Sequence, residues 1–304
     1  MRVLVTGAAG FVARHLAAEL ARAGHEVVST DVVPSAPWMP GYEPCDLCDA
    51  AALDALVARR RPDACIHLGG VSSVPDAARD CGRLFAINVG GTRNLLDSFV
   101  RHAPDARILY VSTAQVYGCS TAPDSLPVAE DAPLYPVSLY AISRVAAEAA
   151  ARAYWKYRGL RVMVARPANH TGPGQSVKFV APSFIAQARE IAAGTRGGFT
   201  VGNLESVRDF SDVRDVVAAY RAILENGAPG ETYNASSAPR ITIGALLEKV
   251  KRLARVDAPA KVDPGLFRPT DFALVLDTAK LRALGWESAH TLDETLADML
   301  AHEG

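Results

Sequence analysis

The chain has 304 residues, 49% of them apolar, and a formal net charge of −1. This length allows one large domain or two small ones, and the near-neutral charge excludes a basic field for nucleic acid or an anionic membrane. No apolar run approaches the ~20 residues that a membrane span needs. The chain begins directly in a strand pattern without a basic, apolar leader, so we expect a cytoplasmic protein with its five cysteines reduced.

The first residues carry the strongest pattern. Arg2–Thr6 is a short β-branched run, Gly7 and Gly10 follow it, and Phe11–Ala23 has a helical composition. Gly7 allows a tight turn off the strand, and Gly10 lets the backbone approach a pyrophosphate at the positive end of the helix. Ala13 stands where a third small residue lets the helix pack closely on the strand. The order strand, glycine turn, helix predicts the start of a dinucleotide-binding unit.

A second predicted strand, His25–Thr30, ends at Asp31. An acid about 20 residues past the glycines is placed to accept hydrogen bonds from a ribose diol. The same carboxylate would repel the 2′-phosphate of NADP, so we expect NAD(H) to be preferred. NADP(H) stays possible if a basic residue such as Arg14 offsets the charge.

The middle of the chain continues the alternation of strands and helices. The predicted elements are strands Ala64–Leu68, Arg107–Ser112 and Leu160–Ala165, and helices Phe85–His102 and Ser138–Tyr157. Alternation of this kind predicts an α/β fold with a Rossmann-type, doubly wound parallel sheet and right-handed crossovers.

Beyond Arg166 the pattern is more broken. The predicted helices there are Phe179–Ala193, Ser211–Leu224 with Ser211 as its N-cap, Ile241–Ala254 and Leu292–His302. We predict a dinucleotide-binding domain over residues 1–166 and a smaller substrate-binding lobe over 167–304. Residues 207–226 or so would return to the Rossmann domain, and the lobe would enclose a substrate cleft at the carboxyl edge of the sheet.

Two other features are interpreted as structural. Cys45 and Cys48 form a Cys-x-x-Cys, but the second cysteine pair of a zinc site and a thioredoxin-like unit are both missing from the sequence. His67 lies inside an apolar strand and is interpreted as a core residue. We therefore expect no metal.

A candidate acid–base centre lies on the helix that follows Ser138. Tyr140 and Arg144 are four residues apart and share one helical face, where a cation favours the phenolate form of a tyrosine. Thr113, at the end of the preceding strand, can hydrogen-bond the same substrate oxygen. This set suits a carbonyl/alcohol reaction beside a nicotinamide. The spacing alone fits equally an ordinary amphipathic helix with a surface arginine.

A family resemblance decides between these interpretations. The segments that carry it are Thr6–Val12, Asp46-Leu47, Asn88 with Gly91-Thr92, Ser112-Thr113 before Val116–Gly118, and Tyr140. Together they resemble the extended short-chain dehydrogenase/reductases, the family of NAD-dependent nucleotide-sugar epimerases, dehydratases and reductases. Within it, Arg166–Gln175, and Val201–Glu205 running into Arg208–Phe210, are similar to the GDP-6-deoxy-4-keto-mannose reductases, which make GDP-D-rhamnose.

The resemblance implies roles for individual residues. It implies catalysis by Thr113, Tyr140 and Arg144. The implied cofactor-binding residues are Gly7, Gly10, Phe11, Val12, Asp31, Asp46, Leu47, Leu68, Gly69, Gly70, Asn88, Tyr140 and Arg144. The implied substrate-binding residues are Ser73, Thr113, Asn169, Arg208, Arg268 and Asp271. The substrate would be a nucleotide-diphosphate sugar, GDP-linked, because guanidinium groups suit a diphosphate.

Two departures from the family stand at functional positions. Arg144 replaces the lysine that holds the nicotinamide ribose in the family and tunes the tyrosine, and arginine keeps the charge but not the shape. Ala168 replaces a phenylalanine and enlarges the site.

Ala114 and Gln115 follow the catalytic threonine where 4,6-dehydratases carry carboxylates. An amide cannot exchange the proton that water elimination needs, so this chemistry is disfavoured.

Three functions remain. The first is NAD(P)H-dependent reduction of the 4-keto group of a GDP-4-keto-6-deoxyhexose. The alternatives are a nucleotide-sugar 4-epimerase, which regenerates its cofactor, and a non-catalytic dinucleotide-binding regulatory protein. In the family, helices matching Phe85–His102 and Ser138–Tyr157 pack against their copies in a four-helix bundle, which implies a homodimer.

Overall fold

A seven-stranded parallel sheet forms the centre of the computed structural model, which describes residues 1–72, 80–118, 127–237, 240–267 and 274–302. In this part of the chain its strand order is β11-β6-β5-β4-β1-β2-β3. These strands are β1 (Arg2–Thr6), β2 (Glu26–Asp31), β3 (Tyr42–Pro44), β4 (Ala64–His67), β5 (Arg107–Val111), β6 (Arg161–Pro167) and β11 (Thr232–Ala235). The central strand β4 is buried along its whole length, as expected where helices cover both faces.

Helices lie on both faces of this sheet. They are α1 (Phe11–Arg22), α2 (Ala50–Arg60), α3 (Cys81–Phe85), α4 (Thr92–His102), α5 (Leu139–Arg158) and α7 (Val213–Asn226). Leu16 of α1 and Val216 of α7 belong to the core on one face, while Leu53 of α2 and Phe99 of α4 belong to the core on the other. The predicted α/β, doubly wound parallel sheet is confirmed.

The predicted helix Phe85–His102 is interrupted. A turn of π-helix, Ala86–Gly91, separates α3 from α4. At this turn the backbone approaches Leu47 closely, because a Cβ on Gly91 would lie 2.8 Å from the Leu47 Cβ. π-Turns of this kind are frequent at functional sites, and this one contains Asn88.

The smaller lobe has its own core. A short helix, α9 (Ala279–Arg282), packs on β11 and α7 beside the large sheet. The helices of the smaller lobe are α6 (Val180–Ala192), α8 (Ile243–Ala254) and α10 (Leu292–Ala301). Phe184, Leu246 and Leu296 pack together within it. Its short strands are β8 (Phe199–Val201) with β13 (Ala260–Val262), β9 (Val207–Asp209) with β12 (Arg240–Thr242), and β7 (His170–Thr171) with β10 (Ser211–Asp212).

Two segments after Arg166 return to the large sheet. Helix α7 packs on α1, and β11 adds an edge strand beside β6. The division at residue 166 stays a prediction. The expected N-cap Ser211 is wrong, since Ser211 lies in β10 and the Asp212 carboxylate accepts the Arg214 N–H at 2.7 Å. No helix in the described ranges is long and apolar enough to cross a membrane.

Candidate active site

The glycine turn after β1 forms the first part of the site. Gly7 has a φ of +72°, and a Cβ there would lie 2.7 Å from the Gly69 nitrogen, so only glycine fits. Gly10 caps α1 without a side-chain hydrogen bond, which leaves the first N–H groups of the helix without an intrahelical partner. Phe11 and Val12 are half-buried beside them. These amides fit the pyrophosphate of a dinucleotide.

Asp31 ends β2 next to this turn. Its carboxylate accepts the Ala9 N–H at 2.9 Å and the Val32 N–H at 2.6 Å. Two backbone donors fix the carboxylate, and its remaining lone pairs can accept the hydroxyls of a ribose. Arg14, the basic residue considered as an offset, is exposed on α1.

The backbone also lies very close to neighbouring side chains in the loop after β4. A Cβ on Gly69 would lie 2.7 Å from Leu47 Cδ1, and one on Gly70 would lie 2.7 Å from Asn88 Oδ1. Asn88 is fully buried, accepts the Val71 N–H at 2.8 Å and donates to Ser143 Oγ at 2.9 Å. Asn88 thus fastens the loop after β4 to helix α5.

The other predicted residues around this loop differ in exposure. Leu68 and Leu47 are half-buried, while Asp46 is exposed and accepts the Cys48 N–H at 2.8 Å. Asp46 and Leu47 lie two and three residues after the end of β3, the strand beside β2. This position leaves their side chains available to a group lying along the carboxyl edge of the sheet.

Tyr140 and Arg144 lie on the first turns of α5, and both are buried. The Ser138 hydroxyl starts this helix by accepting the Ala141 N–H at 3.1 Å. The guanidinium carbon of Arg144 lies 5.4 Å from the centroid of the Tyr140 ring, and Nη1 donates to the Val111 carbonyl at 3.5 Å. Only 4% of Arg144 is exposed, which excludes a surface arginine.

Two neighbouring phenols stabilise the charged form of Arg144. Burial alone would lower the pKa of this guanidinium, but the neighbouring Tyr140 and Tyr110 outweigh burial and raise the pKa. The site therefore keeps a permanent cation beneath the Tyr140 ring. That cation stabilises negative charge on a phenol oxygen.

Thr113 stands at the carboxyl end of β5 and is 8% exposed. Its hydroxyl accepts the Gln115 N–H at 3.2 Å and keeps its own proton free for another acceptor. Ala114 is buried and Gln115 is exposed. Neither can supply the carboxylate of a dehydratase, as the sequence indicated.

The predicted substrate residues are only partly described. Asn169 follows β6, is exposed, and accepts the Ser211 N–H through its backbone carbonyl at 2.9 Å. Arg208 is half-buried on β9 and donates to the Val207 carbonyl at 2.8 Å. The predictions for Ser73, Arg268 and Asp271 lie outside the described residues.

A buried ion pair below the site was missed in the sequence. Arg166 and Glu148 are each 2% exposed, and Arg166 Nε donates to Glu148 Oε2 at 3.2 Å. Arg166 Nη1 also donates to the Tyr117 hydroxyl at 2.8 Å. The pair joins α5 to β6 beneath Tyr140. Its signal was Glu148 itself, which follows Arg144 by four residues on the same face.

His67 and Cys45 are buried in structural positions. His67 is 1% exposed and bonds Thr6 Oγ1 at 2.6 Å and Thr92 Oγ1 at 2.9 Å, while burial and then Arg144 lower its pKa to about 3. Burial raises the pKa of the Cys45 thiol to about 11. Within the ranges that the structure describes, no group of three or more His, Cys, Asp or Glu side chains could hold a metal ion.

Comparisons with known proteins cover nearly the whole chain. Residues 3–236 match the model of the NAD dependent epimerase/dehydratase family. The chain is 35% identical to the GDP-6-deoxy-D-mannose reductase of Pseudomonas aeruginosa, over 99% of this chain and 96% of that protein. The structure of RMD from Pseudomonas aeruginosa complexed with NADPH superposes with a TM-score of 0.88, at 35% identity, over 99% of this chain and 97% of that one. A UDP-glucose 4-epimerase from Thermotoga maritima, solved with UDP-glucose, gives a TM-score of 0.89 at 25% identity, over 99% and 98% of the two chains.

Proposed function

Because the chain belongs to the NAD dependent epimerase/dehydratase family, we propose that it reduces the 4-keto group of a GDP-4-keto-6-deoxyhexose with NAD(P)H. The product would be of the GDP-D-rhamnose type. The observation that carries the proposal is the buried pair Tyr140–Arg144 at the carboxyl edge of a parallel sheet. Similarity along the whole chain to a GDP-6-deoxy-D-mannose reductase supports the choice of substrate class.

The described residues fit a nicotinamide dinucleotide. Its pyrophosphate would lie on the free N–H groups at the start of α1, its adenosine ribose on Asp31 and its adenine beside Asp46 and Leu47. Gly69 and Gly70 leave room for its middle part. When bound, the cofactor supplies a hydride for C4 of the sugar.

The protein's part of the reaction is proton transfer. Tyr140 would give its hydroxyl proton to O4 while Thr113 donates a hydrogen bond to the same oxygen. The phenolate left on Tyr140 is stabilised by the guanidinium of Arg144 beneath its ring. A proton from solvent then restores the phenol.

The nucleotide-sugar would be held mainly through its diphosphate and ribose. Arg208 and Asn169 stand near the carboxyl edge of the sheet, and Arg268, Asp271 and Ser73 would complete the set. A guanidinium can bind a diphosphate through two parallel hydrogen bonds.

We also propose that NAD(H) is preferred and that the enzyme is a cytoplasmic homodimer. The preference rests on the Asp31 carboxylate, whose position beside the α1 turn disfavours a 2′-phosphate. RMD was solved with NADPH, so NADP(H) is the competing cofactor.

A 4-epimerase is the second candidate, supported by the likeness to the Thermotoga maritima enzyme. It needs the same tyrosine and the same cofactor, and it differs in net cofactor use. The third candidate is a regulatory protein that only binds a dinucleotide. Such a protein needs no proton donor, so it does not account for Tyr140 and Thr113 together at the carboxyl edge of the sheet.

The test is a substrate panel with NADH and NADPH. We expect net cofactor oxidation with a GDP-4-keto-6-deoxyhexose and none with UDP-glucose or GDP-mannose. Tyr140→Phe should slow this oxidation by about 10²–10⁴-fold while leaving cofactor binding nearly unchanged. Interconversion of sugar epimers without cofactor loss would replace the proposal with the epimerase.

A further inference from the structure

A cavity of about 380 Å³ lies between the paired strands β9 and β12 and the edge strand β11 of the large sheet, and none of the described residues assigned to catalysis or cofactor binding lines it. Three segments build it. Asp209 ends β9, Ser236, Ser237 and Arg240 come from the stretch between the end of β11 and the start of β12, and Val275–Arg282 leads into and through α9.

The cavity and Arg208 lie on opposite faces of the antiparallel pair formed by β9 and β12. Asp209 pairs directly with Arg240, and Arg208 pairs with Ile241. Directly opposed residues of an antiparallel pair share a face, whereas consecutive residues on a strand point to opposite faces. The cavity is thus separated by strand β9 from the side on which Arg208 lies.

Two arginines and one aspartate are the charged residues in the described lining of this cavity. Arg240 and Arg282 are exposed at its rim, and within the described ranges neither guanidinium has a hydrogen-bond or ion-pair partner. Asp209 is 6% exposed, accepts the hydroxyls of Ser236 and Ser211, and has its pKa raised to about 6 by burial.

Polar and apolar groups complete the lining. Thr278 is buried and gives α9 no side-chain cap, so its hydroxyl is available to a ligand. Ser237 adds a further hydroxyl, and Val275 and Leu276 add an apolar wall. A pair of guanidinium groups, several hydroxyl-binding groups and an apolar wall are the lining that a small phosphorylated carbohydrate needs.

We propose that this cavity is a second ligand site, which binds a sugar phosphate. The phosphate would lie on Arg240 and Arg282, where guanidinium groups form charge-assisted hydrogen bonds. Sugar hydroxyls would donate to the free lone pairs of Asp209 and bond with Thr278. The volume lies within the range of about 300–1,000 Å³ that is typical of small-molecule sites.

Equilibrium dialysis of the full chain with radiolabelled hexose 1-phosphate and with inorganic phosphate, at constant ionic strength, tests the proposal without using turnover. We expect saturable binding of the hexose phosphate, tighter than that of inorganic phosphate. Arg240→Gln and Arg282→Gln should each weaken it by about tenfold or more. Arg158→Gln, an exposed charge at the far end of the 20-residue helix α5, should not.

A variant of Arg208, on the other face of β9, distinguishes binding at this cavity from binding at the proposed diphosphate site. Arg208→Gln should keep the hexose phosphate bound with unchanged affinity. Loss of binding in Arg208→Gln with retention in both cavity variants would overturn the proposal, and so would the absence of saturable binding. Neither result bears on the reductase activity. Circular dichroism of each variant checks that the fold is intact.

Discussion

At the scale of single residues, Arg144 in place of the family's lysine is the departure from the family pattern with the largest expected effect on catalysis. Its guanidinium is enclosed by Tyr140, Tyr110 and the Val111 carbonyl, so its charge stays beneath the phenol. That charge is spread over a wide plane, whereas an ammonium concentrates it at one atom. A compact cation should stabilise the phenolate more strongly and hold a ribose diol more tightly.

We therefore predict that Arg144→Lys raises kcat with a GDP-4-keto-6-deoxyhexose by several-fold and moves the pH–rate profile to lower pH. Steady-state kinetics across pH measure both effects. Arg158→Lys, the same exchange at an exposed position, is the matched control. A slower Arg144→Lys enzyme would mean that the pocket is built for guanidinium, and our view of arginine as a weaker stand-in would be wrong.

Asp31 is predicted to set the cofactor preference. Two like charges ~4 Å apart repel by about 1 kcal/mol even in water, which is roughly fivefold in affinity. NADH should bind more tightly than NADPH by at least this factor, and Asp31→Ser should narrow the gap. Fluorescence titration of both cofactors measures the ratio. Equal affinities in the unmodified protein would refute the preference.

At the scale of elements, the buried pair Glu148–Arg166 joins α5 to β6. Removing one partner leaves an uncompensated buried charge, which costs about 3–5 kcal/mol. Glu148→Ala should lower the free energy of unfolding by that amount in urea denaturation. The double variant Glu148→Leu/Arg166→Met should lose less, because no lone charge remains. A loss below about 1 kcal/mol in the single variant would contradict this role.

The elements that the sequence predicted are those with local signals. Strands β1 and β5 are apolar runs with β-branched residues, β4 is a short buried run, and α5 begins at a capping serine and ends at a glycine. Strand β11 lacks such a run, and its only described partner, β6, lies some 65 residues earlier in the chain. The position of β11 at the sheet edge is therefore determined by its pairing with β6 and not by a local sequence signal.

Some local details also depended on packing. Ser211 and Asp212 are both good N-cap residues, and pairing of Ser211 with His170 in a short strand shifts the cap to Asp212. The π-turn before α4 contains Gly91, which packs closely on Leu47, and sequence periodicity shows neither feature. The Glu148–Arg166 pair joins two elements, so the position of Glu148 on the inner face of α5 indicated a buried carboxylate but not its partner.

At the scale of the whole molecule, we predict a homodimer through α4 and α5. These helices pack side by side, and α5 exposes Ile142 at 40% and Tyr157 at 83%. Sedimentation at micromolar concentration should give a dimer. Ile142→Arg should weaken it, and Val262→Arg, at an exposed apolar position on β13, should not. A monomeric unmodified protein would contradict the prediction.

The site as a whole was predictable where its residues follow strands. Gly7, Asp31, Gly69, Thr113 and Asn169 all stand at or just after the ends of strands of one parallel sheet, whose carboxyl ends meet at one edge. The cavity proposed as a second ligand site could not be predicted in this way, since its lining comes from three segments far apart in sequence. Only the folded chain brings Asp209 together with Arg282.

The most direct test of the proposed reduction follows a labelled hydride. The protein is incubated with a GDP-4-keto-6-deoxyhexose and NADH or NADPH carrying two deuterium atoms at nicotinamide C4, and the product is analysed by mass spectrometry and NMR. We predict one deuterium at C4 of the product for each cofactor oxidised. Unchanged cofactor, or epimeric sugars without net oxidation, would contradict the account.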